Sequence, residues 1–283
     1  MSERLSVLKT YKLYINGAFP RSESGRSFEV NDHQGAFLAN AALASRKDLR
    51  DAVSAARNAQ NSWSKATAYN RGQVLYRIAE VMEGRRDQFV EEITSLIGCS
   101  KKKATKEVDA TIDRWVWYAG WSDKLSATFG NTNPVAGPFF NFTVPEPVGV
   151  VGIIPATSPT LLSISSAIAA AIVSGNTAVV IAPSSNPLSA ITLGEVCATS
   201  DVPAGVINIL TGSVDELSPW LSAHMDIDAL DLSGVPIETR AELAVASVEN
   251  LKRIAAFDSV DAPPLATMHA FLEAKTIWHP IGI

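Results

Sequence analysis

From residue 148 onward the chain alternates short apolar runs with helical patterns, and this alternation constrains the fold more than any other feature. The runs are VGVVGII (148–154), NTAVVIA (176–182), VINIL (206–210) and DALDL (228–232), and the last helical pattern leads into LKRIAA (251–256). Helical patterns occupy residues 161–173, 188–199, 214–222 and 236–250 between them. A strand that is apolar at every position, rather than at every second one, must be covered on both faces. Such strands joined by helices form a parallel sheet with helices on each side. The fold class read from this half is therefore α/β, a Rossmann-like doubly wound sheet of about five strands. A hydrophobic fraction of 47% supplies the core that such a sheet needs.

The first half reads differently. Residues 12–16 (KLYIN) before Gly17 suggest a short strand and turn, and residues 27–30 a second short strand. Ser45 is placed to cap a helix whose apolar positions Leu49, Val53, Ala56, Ala59 and Trp63 recur every three or four residues. A second helix carries Val74, Leu75, Ile78, Val81 and Met82 up to Gly84, and a third carries Phe89, Val90, Ile93 and Leu96 up to Gly98. Residues 101–121 form a long fourth helix. Residues 128–142 (TFGNTNPVAGPFFNF) then abandon helix for an extended arm or hairpin. Residues 258–264 (DSVDAPP) suit a linker, followed by a helix over 265–274 and a terminal strand over 275–283 whose Pro280 is compatible with a sheet edge. The expected organisation is one unit over 1–258, with 259–283 as linker and tail.

Charged residues make up 19% of the chain and the formal net charge is -5, so no basic surface favours nucleic acid or an anionic membrane. The stretch 148–182 is interrupted by prolines, serines, Gly175 and Asn176, short of the ~20 unbroken apolar residues of a membrane helix. The opening residues show no apolar run with a cleavage site, which points to the cytoplasm. Cys99 and Cys197 form no CxxC, and His33, His224, His269 and His279 share no metal-ligand spacing, so neither a disulfide framework nor a zinc site is expected. Cys197 reads as core, His224 as a surface loop residue, and residues 101–103 (KKK) as a solvated helix start.

Several ordered motifs resemble the aldehyde dehydrogenase superfamily: INGAFPRSESGRSFEV (15–30), RWVWYAGWSDKL (114–125), EPVGVVGIIP (146–155), SGNTAVVIAPSSNPLSA (174–190) and PAGVINILTG (203–212). The resemblance spans roughly residues 12–258. It implies a Rossmann-like NAD(P)-binding domain, an oligomerisation arm over 128–142, and a last strand at KTIWHPIGI. It also implies a chemistry in which a cysteine thiolate attacks an aldehyde, an asparagine stabilises the oxyanion, and a glutamate activates water.

The residues at those positions depart from the pattern. Thr157 falls where a PWNFP-like segment has its asparagine. Aligning LKRI at 251–254 places Phe257 at the glutamate of an LELGG-like segment, with Ser259 and Val260 at its glycines. The chain then passes within about twenty residues to the family's tail, without the domain that carries the cysteine, and similar to the C-terminal module of long duplicated members. No catalytic residue is therefore expected. Ala182 replaces the ribose lysine of a KPSE-like segment, and Ser185 stands at or beside its glutamate. The FTGS-like turn maps onto residues 232–235, with Val235 at the serine and Pro236 removing a donor. What remains for cofactor binding, weak or vestigial, is Ile154, Pro155, Pro183, Ser184, Gly212, Ser233 and Gly234, so either no cofactor or weak NAD(P) binding is expected.

The resemblance supports a truncated, degenerate, non-catalytic member that assembles with itself or with a full-length aldehyde dehydrogenase. An NAD(P)-binding oxidoreductase subunit whose partner supplies the thiol is the alternative, and a binding module for another nucleotide or anion at Gly234 a third reading. Phe139, Phe140, Phe142, Ile277 and Trp278 are expected to be exposed in a monomer, favouring association.

Overall fold

The computed structural model describes residues 7–257, 259–260 and 264–282, so part of the expected linker lies outside the described residues. Three short strands open the fold: β1 (Thr10–Tyr11), β2 (Ser27–Asn31) and β3 (Phe37–Ala42), ordered β1-β3-β2. The strand expected over 12–16 is not formed. Tyr14 makes a single antiparallel bridge to Ile209, and Ile15 pairs with Ala18. The chain reverses immediately, through left-handed Asn16 and Gly17 (φ 53° and 74°), before a ladder can extend.

Five helices follow: α1 (Arg46–Lys65), α2 (Ala68–Gly84), α3 (Arg86–Ile97), α4 (Lys101–Ala119) and the short α5 (Leu125–Phe129). Ser45 and Asp48 form a reciprocal capping box at the start of α1, and Gly98 ends α3 in the left-handed conformation. The extended arm begins slightly later than expected, since α5 persists to Phe129. It comprises β4 (Asn131–Asn133) and β5 (Phe139–Pro147).

The second half then runs β6 (Val150–Ile153), α6 (Thr160–Val173), β7 (Thr177–Ile181), α7 (Pro187–Ala198), β8 (Ile207–Leu210), α8 (Val214–Ala223), β9 (Ala229–Asp231), α9 (Ile237–Ala246), β10 (Arg253–Ala255), α10 (Pro264–Ala270) and β11 (Leu272–Pro280). A single 3-10 turn precedes β10. Strands β6 to β10 form one parallel sheet in the order β10-β9-β6-β7-β8. Alternate residues serve opposite faces. Val150, Val179, Ile181 and Leu210 pack with α1, α8 and α9, whereas Val151, Ile153, Ala178, Val180 and Ile209 pack with α6, α7 and the α2 to α4 layer. Helices on both faces explain why β6 to β9 are buried at every position, whereas the edge strand β10 is exposed at Arg253 and Ile254. Among the described residues no helix is long and apolar enough to cross a membrane.

The tail is more extended than its sequence suggests. Helix α10 stops at Ala270, and β11 pairs antiparallel with β5 from Leu272 opposite Pro147 to Pro280 opposite Phe139. The Phe271 carbonyl accepts both the Val148 N–H and the buried Asn176 side chain, which anchors the turn out of the helix. In the sheet β11-β5-β4 the tail strand is an edge, as Pro280 implies. Phe139, Phe140 and Trp278 are exposed, but Phe142 and Ile277, facing each other in the register, are half-buried. Phe142 is partly covered by the Phe140 ring 5.2 Å away, which corrects the expectation of five exposed apolar side chains.

Candidate functional site

After β8 the chain returns to the other side of β6 to form β9, so the connections diverge at the carboxyl ends of β6 and β9. Ligands of open parallel sheets bind in the crevice at such a divergence. A small cavity of about 40 Å³ lies there, with Pro155 and Ala156 following β6, Asp231 and Ser233 ending β9, and Phe257 following β10. Its far wall comes from the helical layer, with Arg114 and Tyr118 of α4, Ser163, Ser166 and Ala167 of α6, and Thr267 of α10.

The residues singled out from the sequence divide between this crevice and its surroundings. Gly234 donates its N–H to the Ile154 carbonyl at 2.7 Å, and a Cβ on it would lie 2.1 Å from the Pro155 carbonyl oxygen. Glycine is therefore required for backbone contact, which leaves Gly234 pinned to the end of β6. Ser233 accepts the Phe257 N–H at 2.9 Å and donates its own hydroxyl to Asp231. Pro155, Ser233 and Phe257 thus meet in one place. Thr157 is exposed on a bend beyond the lining, and Pro183, Ser184 and Gly212 follow β7 and β8 without lining the cavity. Gly212 instead packs against the backbone of Ala44.

At the positions where a dinucleotide would need charge, the side chains are neutral or engaged. Ala182 is buried, and Ser184 and Ser185 are exposed hydroxyls. Asn186 caps α7 and donates to Thr160 at 2.9 Å, locking that turn to α6. Val235 is buried, and Pro236 at the N-cap of α9 offers no side-chain cap. Arg240 donates Nε to the Val235 carbonyl at 2.8 Å and Nη2 to the Ser233 carbonyl at 3.3 Å. Glu238 adds negative charge to the first turn of α9.

The N-terminus of α6 is satisfied from another helix, with Glu107 of α4 accepting the Leu161 N–H at 2.8 Å. Burial raises the Glu107 carboxyl, and the α6 N–H donors only partly oppose it. Asp231 is pushed up to about 6 by burial, against the hydrogen bonds from Ser233. Its folded-state value lies above the ordinary 3.8, so its contribution to stability is complete below that value and is lost as pH rises through about 6. Asp231→Asn keeps the acceptor oxygen and is expected to flatten this part of the stability profile, measured as urea midpoints from pH 4 to 8. Glu92 and Glu107, both raised by burial, keep their share of the slope. An unchanged profile in the variant would refute the assignment.

Neither cysteine lines the crevice. Cys197 is buried within α7, its thiol pushed up to about 12 by burial, and Cys99 sits half-buried between α3 and α4. His224 is half-buried at the end of α8 rather than on an open loop. Sequence reasoning passed over Arg114, Ser163, Ser166 and Asp231. A usable signal was present for the serines, two hydroxyls three residues apart on a helix whose other polar residues are Thr160 and Ser165.

The aldehyde dehydrogenase family model matches residues 19–257. This chain belongs to the aldehyde dehydrogenase family. It is 33% identical over 276 residues to an aldehyde dehydrogenase of Alternaria alternata, covering 96% of this chain and 54% of the relative. It is 32% identical over 260 residues to the cytosolic 10-formyltetrahydrofolate dehydrogenase of Xenopus laevis, covering 88% of this chain and 28% of that protein. The NAD-dependent aldehyde dehydrogenase of Sinorhizobium meliloti superposes with a TM-score of 0.82 at 25% identity, over 88% of this chain and 50% of that one. The NAD+ complex of the Bacillus cereus aldehyde dehydrogenase gives 0.81 at 29%, over 87% and 50%. The chain spans about half the length of the Alternaria relative and of both solved structures. These matches agree with the α/β fold and the five-stranded parallel sheet.

Proposed function

We propose that this aldehyde dehydrogenase family chain is a degenerate, non-catalytic member that serves as an assembly or regulatory subunit, with itself or with a full-length aldehyde dehydrogenase. The observation that carries the reading is Phe257. By alignment it occupies the place of the family's general base, it lines the crevice, and its phenyl ring cannot accept a proton. Thr157, exposed on its bend, cannot supply the paired amide donors of an oxyanion asparagine. Loss of one such donor typically costs ~100 to 1000-fold in rate. Neither thiol of this chain faces the crevice.

The arm supports the assembly half of the reading. Phe140 is exposed on one face of the β5-β11 ribbon and Trp278 on the other, so each face retains apolar surface to bury. The NAD+ complex of the Bacillus cereus relative favours one second reading, an oxidoreductase subunit that retains NAD(P) and relies on a partner's cysteine. Ala182 and Val235 weigh against it, because each lost charge-assisted contact lowers affinity at least ~10-fold.

The purified chain is expected to show no oxidation of an aldehyde panel with NAD or NADP, and NAD binding no tighter than the high micromolar range by calorimetry. It is expected to scatter light as a dimer or larger complex, reduced in mass by Phe140→Glu with Trp278→Glu. Turnover above that of a Cys99→Ala, Cys197→Ala control overturns the non-catalytic reading. A soluble monomer that also ignores an added full-length relative overturns the assembly reading.

A further inference from the structure

The helical wall of the crevice carries a hydroxyl and a cation that the fold leaves without matching partners. Ser163 is 6% exposed, its Oγ is buried with no hydrogen-bond partner, and it lines the cavity. One turn along α6, Ser166 accepts from Nη1 of Arg114 at 3.4 Å, and the same nitrogen donates to the Val260 carbonyl at 3.2 Å. The guanidinium also lies beside the buried Tyr118 phenol. All these partners are neutral, and among the described residues no carboxylate pairs with Arg114. A half-buried guanidinium with no counter-charge among the described residues, beside a buried hydroxyl without a partner, is an arrangement that an anion would relieve.

Ser163 and Ser166 are neighbours on one helical face, so a group held by Arg114 at Ser166 lies within reach of the Ser163 hydroxyl. Phe257, Ala156 and Ala167 add apolar lining to the same cavity. We propose that the crevice binds a short-chain monocarboxylate, its carboxylate on Arg114 and Ser163 and its alkyl end against Phe257. The planar fork of a guanidinium matches a carboxylate edge. A phosphate dianion is disfavoured, because one cation faces it, Asp231 adds repulsion from the same cavity, and the apolar lining leaves its outer oxygens unsatisfied. The site goes beyond the assembly reading and requires neither its success nor its failure.

Propionate, its uncharged counterpart propionamide, and inorganic phosphate are the probes, titrated into the full chain by calorimetry and saturation-transfer NMR. Propionate is expected to bind at least ~10-fold more tightly than propionamide and more tightly than phosphate. Ser163→Ala is expected to weaken propionate ~10-fold with an unchanged thermal midpoint, since no protein hydrogen bond depends on that hydroxyl. Arg114→Gln is expected to abolish the preference for propionate over propionamide. Equal binding of acid and amide, no binding of propionate, tighter binding of phosphate, or wild-type affinity in folded Arg114→Gln would each overturn the proposal.

Discussion

Trp115→Ala is expected to lower the stability of the chain by ~3 to 5 kcal/mol, among the larger effects of a single core truncation. Trp115 is fully buried on α4, the helix that packs against α2, α3 and α6 and so joins the N-terminal helical layer to the sheet's covering layer. Removing its indole leaves a cavity at that junction that flanking helices cannot close without losing their own contacts. Its Nε1 has no hydrogen-bond partner, so Trp115→Phe also removes an unsatisfied donor and is expected to cost less than half as much. Urea denaturation of both variants, compared at equal slopes, is the measurement. Equal losses in the two would show that burial volume is not what the indole contributes.

Gly234→Ala is expected to cost ~3 kcal/mol and to disturb the crevice directly. The added Cβ would lie 2.1 Å from the Pro155 carbonyl oxygen and 3.0 Å from that of Ile154. Both obstacles are backbone, so no rotamer change relieves them, and overpacking of this kind costs ~1 to 3 kcal/mol or occasionally more. Relief requires β6 and the turn after β9 to part, breaking the Gly234 to Ile154 hydrogen bond and widening the cavity. Gly84→Ala is the control, because a Cβ there meets nothing within 4 Å. A Gly234→Ala chain as stable as that control would mean the two strand ends are held less closely than described.

The parallel sheet was legible because its strands β6 to β9 are buried on both faces, leaving largely apolar runs that alternation cannot mimic. Cap residues were equally legible, since Ser45 and Gly98 satisfy helix ends through local geometry alone. Strand β3 was not, as FLANAA carries little β preference and becomes a strand through pairing with β1 and β2 on either side. The resemblance located the strand-end part of the crevice, Pro155, Ser233 and Phe257, through motifs at the ends of successive strands. Its helical half escaped notice because Arg114 and Ser166 are 52 residues apart and belong to different helices.

The sequence by itself determined what depends on neighbours along the chain: which of the longer segments are helix or buried strand, where the capped helix ends at Ser45 and Gly98 fall, and that the sheet is parallel. Tertiary structure alone decided what depends on groups far apart in sequence. It set the strand order that opens a crevice between β6 and β9, and it supplied Glu107 as the cap of α6 where Pro159 has none to offer. It also left Ser163 buried without a partner beside the Arg114 guanidinium. Periodicity and capping are encoded within a few residues, whereas burial, desolvation and the partner of a polar group are properties of the packed whole.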